Sequence, residues 1–465
     1  MILRKRDIVE LRIDRIAYGG KGVARMDGLV VFVKDTVPGD RVLGRITKKK
    51  KDYAEANLVE LLIPSPDRIL PQCPYSMYCG GCQWQHLEYG RQLEYKREHL
   101  REAMARIGTI SDVTVHDTIP CENRFRYRNK MEFSFSDRRW LMPEEFSKIG
   151  TDTGFGLGLH VPGTFCKVID IEACLLQSEM GDQILHLVRE YVRASNVPVY
   201  GLKSHEGFWR FLTLRYSAAF NEWMVNLVTS EERGDLTGPL AELLCRRFEN
   251  IRTVVNNINS RKAAIAFGEK EVVLAGDGYI QDRIGKFCFQ ISANSFFQTN
   301  TSGALRLYDK VVEYAGLKGS ETVLDLYCGT GTIPIFLSEK AKEVMGMEIV
   351  ESAVLDAKKN CRENKINNCR FLLGDIRNNI SGLQLRPDVL VVDPPRAGMH
   401  KDVLSSVLEL AADRIVYVSC NPATMARDMK ELIKQYDITD IQPVDMFPHT
   451  FHIEAVARLV RRTNS

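Results

Sequence analysis

Residues 322–341, TVLDLYCGTGTIPIFLSEKA, constrain the fold of this chain more than any other stretch. They contain an apolar run, a glycine-rich turn around Gly329 and Gly331, and then a second apolar stretch with helical character. Glycines in such a turn let a ligand approach the backbone closely, and the start of the following helix offers free N–H groups. From residue 289 onward, short apolar runs alternate with helical stretches, which predicts a doubly wound, Rossmann-like α/β domain.

Acidic residues follow the later apolar runs of this region. EVMGMEIV contains Glu348, which is well placed for the hydroxyl groups of a ribose, and FLLGDI contains Asp375, which could reach an adenine amine. DVLVVDPPRAG carries Asp393 in front of two prolines and an arginine. The spacing departs from G-x-G-x-x-G, so a nicotinamide dehydrogenase fits poorly. The set resembles the class I S-adenosylmethionine-dependent methyltransferases, and the alternative is a structural βα turn that binds no nucleotide.

A lone cysteine stands where another apolar run ends, in YVSCNPATM at residues 417–425. Asn421 and Pro422 suit the N-cap and first turn of a helix. A thiol at a helix N-terminus has its thiolate stabilised by the helix dipole, so Cys420 is a candidate nucleophile facing the cofactor crevice. Glu454, in HIEAV, is the candidate general base on a neighbouring strand. The structural alternatives are a buried packing cysteine and a surface carboxylate.

A thiol and a base together suit one reaction on RNA. Carbon 5 of uracil is too weakly nucleophilic to attack a sulfonium methyl group unaided. Addition of a thiolate at carbon 6 makes an enolate whose carbon 5 can attack, and a base then removes the carbon 5 proton so that the thiol leaves.

Five motifs in chain order, FFQTN, DLYCGTGT, DPPR, SCNP and HIEAV, together resemble the RNA uracil-5 methyltransferase family, whose members make 5-methyluridine. The resemblance covers essentially the whole chain. It implies that Cys420 is the nucleophile, that Glu454 is the base, and that Asp393 lies between the cofactor and the target base. Some members carry Asn where this chain has Thr332. The complete set of expected S-adenosylmethionine-binding residues is Gln298, Tyr327, Thr332, Glu348, Asp375 and Asp393.

Twelve cysteines in a chain that begins without a signal-peptide core argue for thiols that bind metal, react or pack, and against disulfides. CPYSMYCGGCQWQ places Cys73, Cys79 and Cys82 in a glycine-rich loop with no core to bury them. Spacing alone leaves the fourth ligand open among Cys121, Cys166 and Cys174. Zinc is an alternative, although it prefers paired C-x-x-C motifs and only one such pair is present.

The family resemblance implies that this loop holds a four-iron four-sulfur (4Fe-4S) cluster. It also implies that the fourth ligand lies in DIEACLL, which is Cys174, with Cys166 as the runner-up.

The chain is expected to be multidomain. Residues 1–64 alternate apolar and polar residues between glycine turns, which predicts an OB-like barrel, and the resemblance implies a TRAM domain that binds RNA. Residues 65–288 are expected to form a central α+β iron-sulfur domain, and residues 289–465 the methyltransferase domain. The resemblance also implies that an amphipathic helix at about residues 88–112 docks on the catalytic domain.

The composition limits which partners the chain can bind. With 45% hydrophobic and 26% charged residues and no apolar run near 18 residues long, we expect a cytoplasmic monomer with no membrane contact. The net charge of +3 means that RNA binding must come from local basic patches. Family members with both the TRAM domain and the cysteine loop resemble enzymes of large-subunit ribosomal RNA, so 23S ribosomal RNA is the expected substrate. The target uridine must leave its stack, which favours a loop or single strand.

Four alternatives remain open on sequence. The first is the same reaction on the T-loop uridine of transfer RNA. An amino methyltransferase is suggested by the Asp-Pro-Pro motif and would not need Cys420. A cytosine-5 methyltransferase would use the same thiol chemistry on a different base. The last is an iron-sulfur protein that binds RNA without catalysis.

Overall fold

The computed structural model describes residues 3–146, 148, 150–383 and 386–462. The chain builds a barrel at its amino end, then a sheet covered by helices, and then a parallel sheet with helices on both faces. Within those described ranges no helix is both long and apolar enough to cross a membrane.

The amino-terminal barrel is made of short strands with an alternating buried pattern. Its elements are β1 (Ile8–Arg12), β2 (Arg15–Ile16), β3 (Gly22–Met26), β4 (Leu29–Lys34), β5 (Arg41–Lys49) and β6 (Tyr53–Ile63), in the spatial order β1-β5-β6-β4-β3-β2. Strands β1 and β2 are two parts of one bent strand that pairs with β5 at one end and β3 at the other, which closes the sheet. Side chains such as Val9, Leu11, Val31 and Val42 fill the interior. The predicted small β-barrel is confirmed.

The central region is a mostly antiparallel sheet covered by two helices. Its elements are α1 (Tyr89–Ala103), which continues as a π-helical turn (Met104–Gly108), β7 (Lys130–Ser136), a 3₁₀ turn (Pro143–Glu145), β8 (Gly156–His160), β9 (Val168–Asp170), α2 (Glu179–Ser195), β10 (Trp209–Ser217), β11 (Glu222–Thr229), α3 (Gly234–Arg247), β12 (Ile251–Ile258) and β13 (Lys270–Ala275). The strand order is β13-β12-β11-β10-β7-β8-β9, and only β11 and β12, joined through α3, run parallel among the pairs described. Apolar side chains of α2 and α3 pack on this sheet to form its core.

The carboxyl-terminal region begins with a hairpin and continues as an alternating α/β layer. Its elements are β14 (Tyr279–Ile284), β15 (Phe287–Ser292), α4 (Thr301–Ala315), β16 (Thr322–Leu326), α5 (Thr332–Ser338), β17 (Glu343–Glu348), α6 (Glu351–Glu363), β18 (Cys369–Leu373), α7 (Ile376–Asn379), a 3₁₀ turn (Ile380–Gly382), β19 (Val389–Val392), α8 (Lys401–Leu410), β20 (Arg414–Ser419), α9 (Pro422–Leu432), β21 (Tyr436–Val444) and β22 (Glu454–Arg461). The sheet order is β18-β17-β16-β19-β20-β22-β21.

The pairing of this sheet positions the site. Strands β16 to β20 are parallel, and the strand order reverses between β16 and β19, where ligands of open α/β sheets bind. Every residue of β19 is fully buried, as expected for a parallel strand covered on both faces. Strand β22 runs antiparallel to β20, so its amino end lies at the carboxyl edge of the parallel strands. The predicted Rossmann-like methyltransferase fold is confirmed.

Helix α1 leaves the central region and packs on the carboxyl-terminal one. Its Leu100, with Met104 of the π-helical turn, lies in one core cluster with Met425 and Met429 of α9. Lys96 of α1 and Asp445, just after β21, form a fully buried ion pair with Nζ and Oδ1 2.6 Å apart.

Candidate active site

The glycine-rich turn between β16 and α5 has the backbone shape expected of a nucleotide loop. Tyr327, Gly329 and Gly331 all have positive φ angles, of 68°, 52° and 77°. A Cβ on Gly331 would stand 2.9 Å from Cβ of Ala357 and 3.0 Å from the ring of Phe371, so the position has no room for a side chain. This close approach packs the start of α5 against its neighbours and leaves the turn open to a ligand.

A cavity of about 210 Å³ opens beside this turn at the carboxyl edge of the sheet. It brings together three predicted cofactor residues, Tyr327, Glu348 and Asp375. Glu348 accepts a hydrogen bond from the backbone N–H of Gly329 at 3.0 Å, which ties the end of β17 to the turn. Asp375 instead pairs with Arg377 at 2.5 Å, so the carboxylate predicted to meet an adenine amine is already engaged.

Two of the other three predicted cofactor residues meet at a tyrosine that we did not predict. The side chains of Gln298 and Thr332 both hydrogen-bond with Tyr308 of α4, which is buried. Asp393 and Glu454 act electrostatically on the same tyrosine and, together with burial, raise its pKa. Tyr308 therefore links Gln298 and Thr332 to the carboxylates of the site.

Two acidic residues lie beside the glycine-rich turn, one fully buried and the other half-buried. Asp325 of β16 is fully buried, and neither carboxylate oxygen has a hydrogen-bond partner among the described residues. Burial and the nearby carboxylates of Asp393 and Glu348 raise the pKa of Asp325 well above its usual range. Burial raises the pKa of Asp393, at the end of β19, to about 6. An orphaned carboxylate here fits a polar or cationic group of a bound ligand.

Cys420 and Glu454 face each other across two paired strands. Cys420 directly follows β20 and precedes Asn421, whose side chain caps α9 by accepting from the N–H of Ala423 at 3.1 Å. Ser419 pairs with Ala455 in the β20–β22 ladder, so the next position along each strand sets Cys420 opposite Glu454. Both lie at the carboxyl edge that carries the cofactor turn.

The surroundings of Cys420 correct one expectation. Burial, together with the carboxylates of Glu454 and Asp393, raises the pKa of the Cys420 thiol to about 11, although Arg396 lowers it. In the free protein the thiol is therefore the favoured form, and the expected stabilisation of the thiolate by α9 is outweighed. Burial and Asp393 likewise raise the pKa of Glu454 to about 8, again opposed by Arg396.

Arg396 of the Asp-Pro-Pro-Arg stretch is the cation of this site. Its backbone carbonyl accepts from the side chains of Asn421 and Thr424, at 3.0 and 3.3 Å, which holds it next to the start of α9. Its exposed guanidinium has no hydrogen-bond or ion-pair partner in the described part of the chain. It is free to meet a phosphate or a base.

Comparison with known proteins identifies this constellation. Residues 240–462 match the tRNA (uracil-5-)-methyltransferase family, and residues 3–59 match the TRAM domain. A protein of Chlorobaculum tepidum named as an uncharacterized RNA methyltransferase is 42% identical over 98% of this chain and 96% of its own length. Another so named, from Porphyromonas gingivalis, is 40% identical over 97% of this chain and all of its own.

This chain belongs to the RNA uracil-5 methyltransferase family. It is an S-adenosylmethionine-dependent uracil-5 RNA methyltransferase with an amino-terminal TRAM domain. A solved relative supports the fold along the whole chain. The tRNA (uracil-54, C5)-methyltransferase of Pyrococcus abyssi, crystallised with S-adenosyl-L-homocysteine, is 30% identical and superposes with a TM-score of 0.76 over 97% of this chain and all of its own. The open glycine turn, the adjoining cavity and the Asp325 carboxylate without a partner fit S-adenosylmethionine as the methyl donor.

The cysteines of this methyltransferase fall into distinct environments. Cys73, Cys79, Cys82 and Cys174 line one small cavity in the core of the central region. Of the two other candidates, Cys121 accepts from Asn300 at 3.2 Å, and Cys166 packs near Tyr200 in a separate cluster. No three His, Cys, Asp or Glu side chains in the described ranges come together closely enough to hold a single metal ion.

The sequence analysis did not single out three polar residues of the site. Asp325 and Arg396 lie inside motifs that we quoted, DLYCGTGT and DPPR, but their burial and freedom from partners are visible only in the fold. Tyr308 comes from a helix with no motif of its own, and its role follows only from its contacts.

Proposed function

We propose that this enzyme methylates carbon 5 of a specific uridine in 23S ribosomal RNA, with Cys420 as the nucleophile and Glu454 as the general base. What supports the roles of the two residues is the pairing of β20 with β22, which sets the thiol opposite a buried carboxylate. The expected contacts of Gln298, Tyr327, Thr332, Glu348, Asp375 and Asp393 with the methyl donor are part of the same proposal.

The reaction follows from these positions. Bound S-adenosylmethionine supplies the electrophilic methyl group. The Cys420 thiolate adds to carbon 6 of uracil, and the electron pair of the C5–C6 double bond forms an enolate. Carbon 5 of this enolate bonds to the methyl carbon as the bond between that carbon and the sulfonium sulfur breaks, which leaves S-adenosylhomocysteine. The Glu454 carboxylate then takes the proton from carbon 5, and the electron pair of that C–H bond restores the double bond and expels the sulfur of Cys420.

The pKa values at the site favour Glu454 as a base but do not favour a free Cys420 thiolate. A pKa of about 8 places Glu454 close to neutral pH, where a general base balances availability against proton affinity. Cys420, with a pKa of about 11, needs help to ionise. Arg396 is the group that favours the anionic form of both side chains. We therefore assign to Arg396 the stabilisation of the attacking thiolate.

The choice of 23S ribosomal RNA rests on the combination of a TRAM domain with the cysteine loop. Transfer RNA is the second candidate, because the Pyrococcus abyssi relative, which aligns over nearly the whole chain, is a tRNA (uracil-54, C5)-methyltransferase. In either RNA the target uridine must be unstacked to reach Cys420.

We also propose that Cys73, Cys79, Cys82 and Cys174 hold a 4Fe-4S cluster. Their shared cavity is walled by apolar groups, which suits soft thiolate ligands around iron and sulfide.

Trapping with 5-fluorouridine tests the reaction. Transcripts of 23S ribosomal RNA and of transfer RNA, each carrying 5-fluorouridine, are incubated with enzyme and S-adenosylmethionine and analysed by intact and peptide mass spectrometry. A base cannot remove fluorine from carbon 5, so we expect a covalent, methylated adduct on Cys420 with the ribosomal transcript.

The matched control is Cys245→Ser, in α3, which should form the adduct as readily as the wild type, whereas Cys420→Ser should form none. An adduct with the transfer RNA transcript alone would show that transfer RNA, and not 23S ribosomal RNA, is the substrate. Failure to trap either RNA, or full turnover by Cys420→Ser, would overturn the mechanism.

A further inference from the structure

A second cavity lies next to the proposed nucleophile, where three separate parts of the chain meet. Its volume is about 170 Å³. One wall is Tyr18 of the amino-terminal barrel, a second is α1 with the π-helical turn, and a third is the start of α9 at Pro422 and Ala423. Consecutive Cα atoms are about 3.8 Å apart, so Pro422 stands at most about 7.6 Å from Cys420. That span is on the scale of one nucleotide step.

Tyr18 belongs to a turn that is docked on the rest of the enzyme. A Cβ on Gly20 would stand 3.1 Å from Nε1 of Trp84 and 3.5 Å from the ring of Phe451, so the turn sits against both aromatic groups. The carbonyl of Ile16 is 3.0 Å from Nε2 of His99 in α1. These contacts hold the barrel loop at a defined place beside the catalytic domain.

The ring of Tyr18 is fixed at its sides and open elsewhere. It meets the rings of His99 and Phe451 edge to face, with centroids 6.0 and 5.5 Å away. The side chain is still 43% exposed, and its hydroxyl has no hydrogen-bond partner in the described ranges. Burial raises the pKa of the Tyr18 hydroxyl, and the nearby Cys420 and Glu454 add to this effect while Arg396 opposes it.

The cavity has the chemistry of a nucleobase site on a phosphate chain. Its apolar surface includes Ile107, which is 43% exposed. At its rim Glu102 pairs with both Arg15 and Arg106, at 3.5 and 3.3 Å, which leaves one net positive charge. Single-stranded RNA is bound by this combination of an open aromatic ring, an apolar pocket and a cation for the backbone.

We propose that this cavity binds the base adjacent to the target uridine in the RNA substrate, with the base stacked on Tyr18. The barrel then contributes to the choice of uridine directly at the active site, in addition to any general affinity for RNA. The inference deepens the proposed function, because it rests on Cys420 being the residue that meets the target uracil.

The test compares steady-state methyl transfer by wild type, Tyr18→Ala, Tyr18→Phe and Ile107→Asp, on whichever of the two transcripts traps the wild type. Loss of one stacked base predicts a rise in KM for RNA of about tenfold to a hundredfold in Tyr18→Ala. Tyr18→Phe keeps the ring and should stay within about twofold of wild type. Ile107→Asp, on the exposed π-helical turn that lines the same cavity, should raise KM for RNA because its charge repels the RNA backbone.

Two controls separate this proposal from a loss of structure. Tyr53→Ala removes a tyrosine of the same barrel that packs on Phe32 and does not line the cavity, so its KM for RNA should stay near that of wild type. The dissociation constant for S-adenosylmethionine should not change in Tyr18→Ala. An equal rise in KM for Tyr53→Ala, or weaker cofactor binding in Tyr18→Ala, would overturn the proposal in favour of a general role of the barrel.

Abasic RNA gives a direct readout of the base. In oligonucleotides around the trapped uridine, an abasic site at one flanking position should weaken binding to wild type and have little further effect on Tyr18→Ala. Equal losses for both proteins at every flanking position would refute the stacking contact. If the wild type forms no 5-fluorouridine adduct, the proposed mechanism fails; if it does while Tyr18→Ala has a normal KM, only this inference fails.

Discussion

At the scale of single residues, the site is a set of buried acids opposed by one free arginine. Asp325, Asp393 and Glu454 all have raised pKa values, because burial disfavours their charged forms. The carboxylate of Asp393 raises the pKa values of Asp325 and Glu454 further. Arg396 opposes this effect on Glu454 and Cys420. The ionisation states of the nucleophile and the base are therefore set by burial and by one cation, and the position of Cys420 at a helix N-terminus is secondary.

The rate should consequently rise with pH. Glu454 acts as a base only when deprotonated, and with its pKa raised to about 8 that form grows as the pH passes upward through about 8. We expect single-turnover rates on the RNA transcript to increase from about pH 6.5 to about pH 9. Arg396→Ala should displace this rise to higher pH, since the cation lowers the pKa of both groups. A flat profile, or an unmoved profile in the variant, would contradict this account.

Replacing Glu454 by Gln should separate the two halves of the reaction. Without a base, Cys420 can still add and the methyl group can still transfer, but carbon 5 keeps its proton. We expect Glu454→Gln to accumulate a covalent adduct with ordinary, unfluorinated uridine RNA, detectable by denaturing gel electrophoresis. Rapid release of methylated RNA by this variant would rule out Glu454 as the base.

The same substitution should stabilise the fold at high pH. The folded state holds the Glu454 proton up to about pH 8, while the unfolded chain releases it at the usual carboxyl pKa, so folding becomes less favourable as the pH rises through this window. Glu454→Gln should therefore gain on the order of 3 kcal/mol in free energy of unfolding at about pH 8.5 and much less near pH 5. Urea denaturation measures this, with Glu363→Gln on the surface of α6 as the control.

At the scale of elements, α1 and the segment between β21 and β22 (445–453) form one buried joint. Asp445 accepts from Lys96 at 2.6 Å and from the hydroxyl of Tyr89 at 2.8 Å, both on α1. The backbone N–H of His449 donates to the side chain of Gln92 at 2.8 Å. This segment leads directly into Glu454, so α1 holds the chain that delivers the base.

Lys96→Met should strongly destabilise the enzyme. Removing one partner leaves the Asp445 carboxylate charged and uncompensated in the interior, which typically costs about 3–5 kcal/mol. Adding Asp445→Asn to Lys96→Met should recover part of that loss. Urea denaturation of the two variants and of Lys310→Met, a half-buried α4 lysine paired with Glu313, tests this. Equal stability of Lys96→Met and wild type would show that the pair contributes nothing.

At the scale of the whole molecule, the three regions are connected around the backbone carbonyl of His449. The N–H groups of Gln83 and Trp84, next to Cys82 in the cysteine loop, both donate to the carbonyl of His449 at 2.9 Å. Gly20 of the barrel packs on Trp84. The barrel, the cysteine loop and the segment that carries the base are thus connected through a few contacts.

Loss of the proposed cluster should weaken the hydrogen bonds to the His449 carbonyl. Anaerobically purified Cys174→Ala should lose most of its iron and visible absorption, and the amides of Gln83 and Trp84 should exchange faster with deuterium because the cysteine loop loosens. Cys166→Ala, the runner-up position, should keep both its iron and its slow exchange. The reverse result would make Cys166 the fourth ligand, and a wild type without iron would refute the cluster.

The sequence by itself determined the order of the domains, the α/β fold and the candidate pair Cys420 and Glu454. These follow from local signals, because a glycine-rich turn after an apolar run and a cysteine before a helix cap each have a short-range physical cause. The sequence also predicted that the site lies at the carboxyl edge of the sheet, since the carboxyl ends of parallel strands share one edge.

Only the tertiary structure decided what depends on distant contacts. It set Glu454 opposite Cys420 through an antiparallel strand. It also put Cys174 in the cavity of the cysteine loop, a choice that cysteine spacing alone left open and that the family resemblance had favoured. It also brought Tyr18 from the amino-terminal barrel to the catalytic edge. Burial and long-range charge, which no local pattern encodes, then raised the pKa of Cys420 where its place at a helix start predicts the opposite.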